Sequence, residues 1–335
     1  INAAVNVLGG QTLASIDNVG VNETSLINEQ GESLTAGDGQ SLNLNAASHQ
    51  TVGSLAFAGS LGSAAGTAGA TSVTVADRET RATLANTGVE VEGDINVDAR
   101  ASEAVGSMAA GFGGALLGLG LGGSAVVNVL DSTVIAETYG ATLHSENLSI
   151  QARHEANVGS SVGVLSGGAL AAAAVPVATT VSSGTTEALL GAAGSSTTTE
   201  VNDTISLDAV SVVQQSDIVA GMAASGSVGG AGAVSVRVLE DVTRARMLNT
   251  NMSWWSDLEI DAISRANIGS YVGSAGLGVA AAGGMSVNTN ILRTTTQAEI
   301  LDSQVKTSGL HLNADSVRSM DLMTLGLAGS SGGGA

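Results

Sequence analysis

The chain has 335 residues, of which 46 are Gly, one is Pro, none is Cys and only 2% are aromatic. That composition does not supply the aromatic and large aliphatic side chains on which compact enzyme cores are built. Eleven Lys and Arg against 30 Asp and Glu give a formal charge of −19, which excludes nucleic acid as a partner because phosphate backbones need clustered cations.

The absence of Cys removes disulfide scaffolds and thiol chemistry. With 12% charged residues and persistent apolar alternation, disorder is excluded as well. The opening at Ile1 without Met reads as an excised stretch of a longer protein.

In chain order, the first predicted element is a Val-rich strand, AAVNV (3–7), followed by a strand marked by Thr12, Ala14 and Ile16. Extra sequence over 17–41 then reads as a loop, either a contact surface or a neutral length variation. Its TAGDGQS (35–41) is the nearest approach to a calcium loop, but it carries one Asp and lacks the β-roll nonapeptide. Calcium is thus compatible with the charge and has no recognisable motif; no other cofactor is expected.

At 42–46 comes LNLNA, and this pattern returns as INVDA (95–99), LSIQA (148–152), ISLDA (205–209), LEIDA (258–262) and LHLNA (310–314). The closing Ala residues are 53, 53, 57, 53 and 52 residues apart, from Ala46 to Ala314. A period this constant outweighs any local motif. It divides the chain into repeats at 1–46, 47–99, 100–152, 153–209, 210–262 and 263–314, with a partial one over 315–335.

Each period adds three elements to its anchor strand. After a polar turn comes a segment such as TVGSLAFAG (51–59) or NIGSYVGSA (267–275). A Gly/Ala stretch then leads into a Val-rich strand, such as SVTVA (72–76), AVVNV (125–129) or AVSVRV (233–238). The fourth element has the form Thr-x-Ala-x-apolar: Thr80/Ala82/Leu84, Thr186/Ala188/Leu190, Thr243/Ala245/Met247 and Thr296/Ala298/Ile300. Short strands bounded by Gly, Asn, Asp and Ser predict β structure, and no capped helical stripe competes.

A repeat of this kind cannot bury its apolar face alone, so its neighbours must stack on it as a solenoid. The expectation is a right-handed parallel β-helix. The anchor and the Val-rich strand resemble each other, which favours two unequal coils per period and a rod of some 12 coils, about 60 Å long; one coil per period gives about half that. The anchor Ala residues are expected at tight corners, and the Thr residues of the fourth element in a hydroxyl ladder along one edge. Pro176, in the 57-residue period, is expected at an edge or bulge.

The unit "VGS…GxxG…SVxVxxxxxTxAxIxx…LxVxA" resembles the repeat region of giant bacterial filamentous adhesins, of the leukotoxin-like and filamentous-haemagglutinin-like type, over essentially the whole chain. The resemblance implies a right-handed parallel β-helix, secretion across an outer membrane and display at the cell surface. The familiar haemagglutinin coil is nearer twenty residues than 53, and no secretion domain or barrel signature accompanies the repeats.

Parts for catalysis are scarce. The four His (His49, His144, His154, His311) lack metal-ligand spacing, and His49 and His154 read as solvated turn positions after an anchor. Acidic clusters such as DRE (77–79), EVEGD (90–94), LED (239–241) and NAD (313–315) read as solvated turns out of register with one another. The apolar run at 105–130 has the length of a membrane span, but its Gly density and strand flanks favour a buried sheet. GFGGALLGLGLGG (111–123) lacks the GKS/T of a phosphate loop.

MSWWSD (252–257) places Trp254 and Trp255 at a turn before an anchor strand. They are candidate contact residues, for a glycan ring or a partner protein, unless one caps the solenoid wall and the other lies over it. The sequence reading is therefore of an extracellular structural or adhesive segment at a bacterial cell surface. No catalytic, metal or cofactor residue is expected, and no membrane span. The expected partners are other copies of itself or cell-surface glycans or proteins. A self-assembling fibre subunit and a β-helical polysaccharide-active enzyme are the alternatives.

Overall fold

The computed structural model describes residues 1–21 and 40–331, so the loop reading of 17–41 lies largely outside the described residues. The architecture is all-β, with long strands in parallel sheets. In chain order the strands are β1 (Asn2–Asp17), β2 (Leu42–Gly62), β3 (Ala65–Ala85), β4 (Gly88–Glu90), β5 (Ile95–Ala115), β6 (Leu119–Tyr139), β7 (Thr142–Ser145) and β8 (Leu148–Gly168). There follow β9 (Ala171–Leu190), β10 (Thr197–Val201), β11 (Thr204–Ser225), β12 (Val228–Leu248), β13 (Thr250–Met252), β14 (Ser256–Gly278), β15 (Ala281–Leu301) and β16 (Thr307–Ser330).

Three parallel sheets result. The anchor sheet runs β2-β5-β8-β11-β14-β16, the valine sheet β1-β3-β6-β9-β12-β15, and a short corner sheet β4-β7-β10-β13. Leu42 lies beside Ile95, then Leu148, Ile205, Leu258 and Leu310 follow in register. Neighbouring rungs are thus corresponding strands one sequence period apart, and the valine-rich strands pair only among themselves. This corrects the expectation of two coils per period. The likeness of anchor and valine strands reflects a shared in–out alternation, not adjacency in one ladder. Six rungs at about 4.8 Å span only about 24 Å between first and last, whereas a 21-residue strand runs about 70 Å. The segment is wider than it is tall.

The predicted polar turn between the first two elements does not exist. ASHQ (47–50) continues the in–out alternation of LNLNA, so both elements fuse into one 21-residue strand. Ala46, Ala99, Ala152, Ala209 and Ala262 are therefore buried mid-strand rather than at corners. Likewise Thr80, Thr186 and Thr243 point inward and are fully buried, not arrayed along an edge. Pro176 sits in an interior strand; register is kept with Ser124, while the pairing of β9 with β12 lapses between Ala174 and Val177. That lapse is where a missing N–H would be felt.

True corners follow every long strand of the valine sheet. Asn18, Asn86, Gly140, Asn249 and Asp302 have φ between 47° and 63°, and Gly191 has φ 84°. Left-handed backbone favours these residue types because others pay a steric cost there.

The interior tapers away from these corners. At the wide end, Leu84, Ile95, Val97, Leu143, Ile150, Leu207 and Met247 fill a three-walled core closed by the corner sheet. Beyond a polar layer and a mid-strand apolar cluster, Ala56, Ala70, Ala109, Val126 and Val162 take over. At the tip, backbone meets backbone: a Cβ added to Gly66 would sit 1.8 Å from the Gly114 carbonyl oxygen, and one on Gly113 2.0 Å from that of Leu121. The Gly/Ala stretches are what let two sheets approach this closely.

Candidate functional site

The inward polar positions form ladders that satisfy each other across the narrow interior. Ser54 and Ser72 hydroxyls are 2.6 Å apart; Ser107 donates to Asn128 Oδ1 at 2.6 Å, and Asn128 Nδ2 donates to Ser160 at 2.8 Å. In the next rung the same layer holds a charged pair. Arg237 Nε donates to Asp217 Oδ2 at 2.7 Å, and the two side chains are 0% and 1% exposed. Ser235 also donates to Asp217, and Arg237 reaches the Gln215 carbonyl at 3.3 Å.

A second buried polar layer lies nearer the wide end. DRE and LED are not turns: both lie within long strands, which turn Arg78 and Asp241 inward. Asp241 accepts from Ser211, Ser264 and Thr243, while Arg78 lies 3.7 Å from Glu103. His154 stands between them. It is not a solvated turn residue, being 2% exposed on an inward strand position opposite Gly184. Burial is the main cause that pushes its pKa down, aided by Arg78 and opposed by Glu103 and Asp241. His49 is exposed, and His311 lies 3.5 Å from Asp261 on the outer surface.

Acidic positions do recur in register: Asp77, Asp131 and Glu240 share one outward column of the valine sheet. Asn45, Asp98, Gln151, Asp208, Asp261 and Asn313 occupy one outward position on successive rungs. The signal was present in the fourth letter of each anchor. Desolvation first, then the neighbouring Asp261 and Glu259, raise the Asp208 pKa, against a hydrogen bond from Ser206. Asp98 is paired with Arg100 at 2.7 Å. Among the described residues, no group of three or more His, Cys, Asp or Glu is placed to hold a metal ion.

Both predicted contact residues lie at the surface corner between β13 and β14. Trp255 is 70% exposed and Trp254 48%. Trp254 meets His144 edge-on with centroids 6.0 Å apart, and His144 lies 3.5 Å from Glu200. The two indoles thus do different things: Trp254 leans on the corner sheet, and Trp255 stands clear of it.

The sequence reading missed an apolar outer face, which appears only once the register is known. On the outer face of the anchor sheet, Leu55, Met108, Ile218, Tyr271 and Met323 share one column with Ser161. Two residues further along each strand, Ala110, Gly163, Ala220 and Gly273 line up between Phe57 and Leu325; beyond them stand Phe112, Leu165, Met222 and Leu327. Small residues between two large walls leave a shallow groove of ≈ 500 Å³. No charged residue occurs in 51–76, 104–130, 156–186, 218–236 or 266–292, so this half of the segment is uncharged apart from the buried Asp217–Arg237 pair and the outward Asp321 on the last rung. No helix among the described residues is long and apolar enough to cross a membrane.

Comparison with protein-family models, with curated proteins and with solved structures gives no match.

Proposed function

We propose that the chain is a structural and adhesive segment of a long extracellular bacterial surface or filament protein, a right-handed parallel β-helix that works as a stiff spacer and a multivalent contact surface. The observation that carries this reading is the shared register of strands of about 20 residues over successive rungs. Main-chain ladders resist bending along the stack, and each rung adds outward surface to the same face, so several weak contacts to one partner surface add by avidity. A right-handed path is also what nearly all parallel crossovers take.

The exposed Trp255, with Trp254 beside it, is the place for a sugar ring or partner side chain to stack. Binding of the purified chain to glycan arrays and cell layers tests this. Trp254→Ala with Trp255→Ala should lower binding at least tenfold while leaving circular dichroism unchanged; equal binding by the double variant removes the corner from the adhesive role. Depolymerisation of a polysaccharide that disappears in Asp208→Asn would replace the reading with an enzymatic one.

A second reading is a fibre subunit growing end to end, since an open parallel stack presents unpaired strand edges. Continuous filaments in micrographs of purified chain would support it over isolated short stacks.

A further inference from the structure

We infer that the apolar half of the anchor sheet, whose one outward charge among the described residues is Asp321 on the last rung, is a self-association face, on which a second copy of this chain packs sheet to sheet with its strands running the opposite way. The inference does not depend on the spacer reading, since a stiff spacer works equally well as a single chain.

Three observations carry it. The face is corrugated in a way that complements itself. A floor of Ala110, Gly163, Ala220 and Gly273 lies between a wall led by Met108 and Tyr271 and a wall led by Phe112 and Met222. The walls stand four residues apart along the strand, about 13 Å, and facing sheets pack about 10 Å apart, so a wall of one copy fits the trough of the other. One two-fold axis along the stack makes both contacts at once, an isologous interface.

The size matches. Four outward columns at about 6.6 Å spacing and six rungs at about 4.8 Å give a footprint of roughly 750 Å², close to the ~800 Å² per partner of stable interfaces. Leu55, Phe57, Leu165, Ile218, Met222 and Met323 are each about half exposed on it, a larger apolar patch than soluble monomers ordinarily leave open.

Charge decides the orientation. The acidic column, in which Asp208 and Asp261 stand on adjacent rungs and Asp98 is paired with Arg100, lies on the same sheet face, ten residues or about 33 Å before the Met108 column. Strands running the same way would bring two such columns to within about 10 Å across the interface. Strands running oppositely hold them about 65 Å apart, many times the ~8 Å screening length at physiological salt. The outer face of the valine sheet is different in kind. Its column Val7, Val75, Val129, Val181, Val238 and Ile291 is a run of β-branched residues, without the Gly and Ala that floor the anchor face.

Sedimentation velocity on the full chain tests the inference. Wild type should sediment as a dimer at micromolar concentration. Ala220→Lys, an outward substitution on the trough floor, should raise the dissociation constant at least ~100-fold, as loss of a central contact does, with an unchanged far-ultraviolet circular dichroism spectrum showing the fold intact. Val129→Lys on the other face should leave the dimer as it is. A wild-type monomer overturns the inference, whether or not it floats with phosphatidylcholine vesicles; flotation would assign the face to lipid. Dissociation by Val129→Lys and not by Ala220→Lys, or polymers indifferent to both, overturns it too.

Discussion

Asp217→Ser should be among the most damaging single changes in the chain, and Arg237→Met should largely rescue it. Arg237 is fully buried; among the described residues its ionic contact is Asp217 at 2.7 Å, and a second N–H goes to the Gln215 carbonyl. Removing the carboxylate leaves a guanidinium in a dry interior, a loss of about 3–5 kcal/mol. Serine itself fits, because the neighbouring rungs carry Ser160 and Ser270 at the same position. With Arg237→Met added, the volume is kept and the charge removed, so the double variant should fall within about 1 kcal/mol of wild type. Arg237→Met alone strands the carboxylate and also destabilises, so the coupling energy between the sites is at least about 2–4 kcal/mol. Urea unfolding followed by far-ultraviolet circular dichroism measures it, as midpoints at constant slope. Additive losses, with the double variant as unstable as the sum of the singles, would refute the argument. The pair would then be held by packing around each side chain and not by the other's charge.

Acid should weaken the fold through His154. Its folded pKa lies below its ordinary value of 6.5 because burial disfavours the imidazolium, so its contribution is intact above that value and is lost as pH falls below it. The slope can reach about 1.4 kcal/mol per pH unit. Urea midpoints at pH 7 and 5 should differ more in wild type than in His154→Leu, and parallel shifts would contradict the assignment. Gly66→Ala should abolish or severely weaken folding, since its Cβ would meet the Gly114 carbonyl at 1.8 Å. Gly53→Ala and Gly106→Ala, where an added Cβ meets nothing within 4 Å, should be neutral or stabilise by up to about 1 kcal/mol, read from melting temperature.

The parallel stack was legible because LNLNA and its five relatives alternate apolar and polar at a nearly constant period, and alternation with repetition leaves a laddered sheet as the economical solution. Strand lengths were not legible. Ser48, His49 and Gln50 look like a turn by composition, yet Ser48 and Gln50 take inward places whose partners, Thr80 and Arg78, lie about 30 residues away. A polar residue inside a thin two-sheet interior is read as loop until its cross-sheet partner is known. Burial of His154 failed for the same reason: Gly184, which makes room for it, belongs to a different strand. The corners carried a signal that composition alone diluted. One Asn, Gly or Asp after each valine-sheet strand marks a left-handed residue, but these types are common elsewhere in the chain.

Contact surfaces were harder still, and the reason is structural. In a ladder the inward residues must agree with their neighbours on every rung, because a slip of one residue turns them all to solvent. They therefore repeat, and repetition is what a sequence displays. Outward residues face no such demand. Met108, Ser161, Ile218 and Tyr271 occupy one column and share no letter. They become a wall only through a register that the inward residues set. The apolar trough is thus written in positions that look random along the chain, between inward positions that look monotonous. The same separation leaves the outer face free to change without disturbing the stack, so Ala220→Lys can test association while Gly66→Ala tests folding.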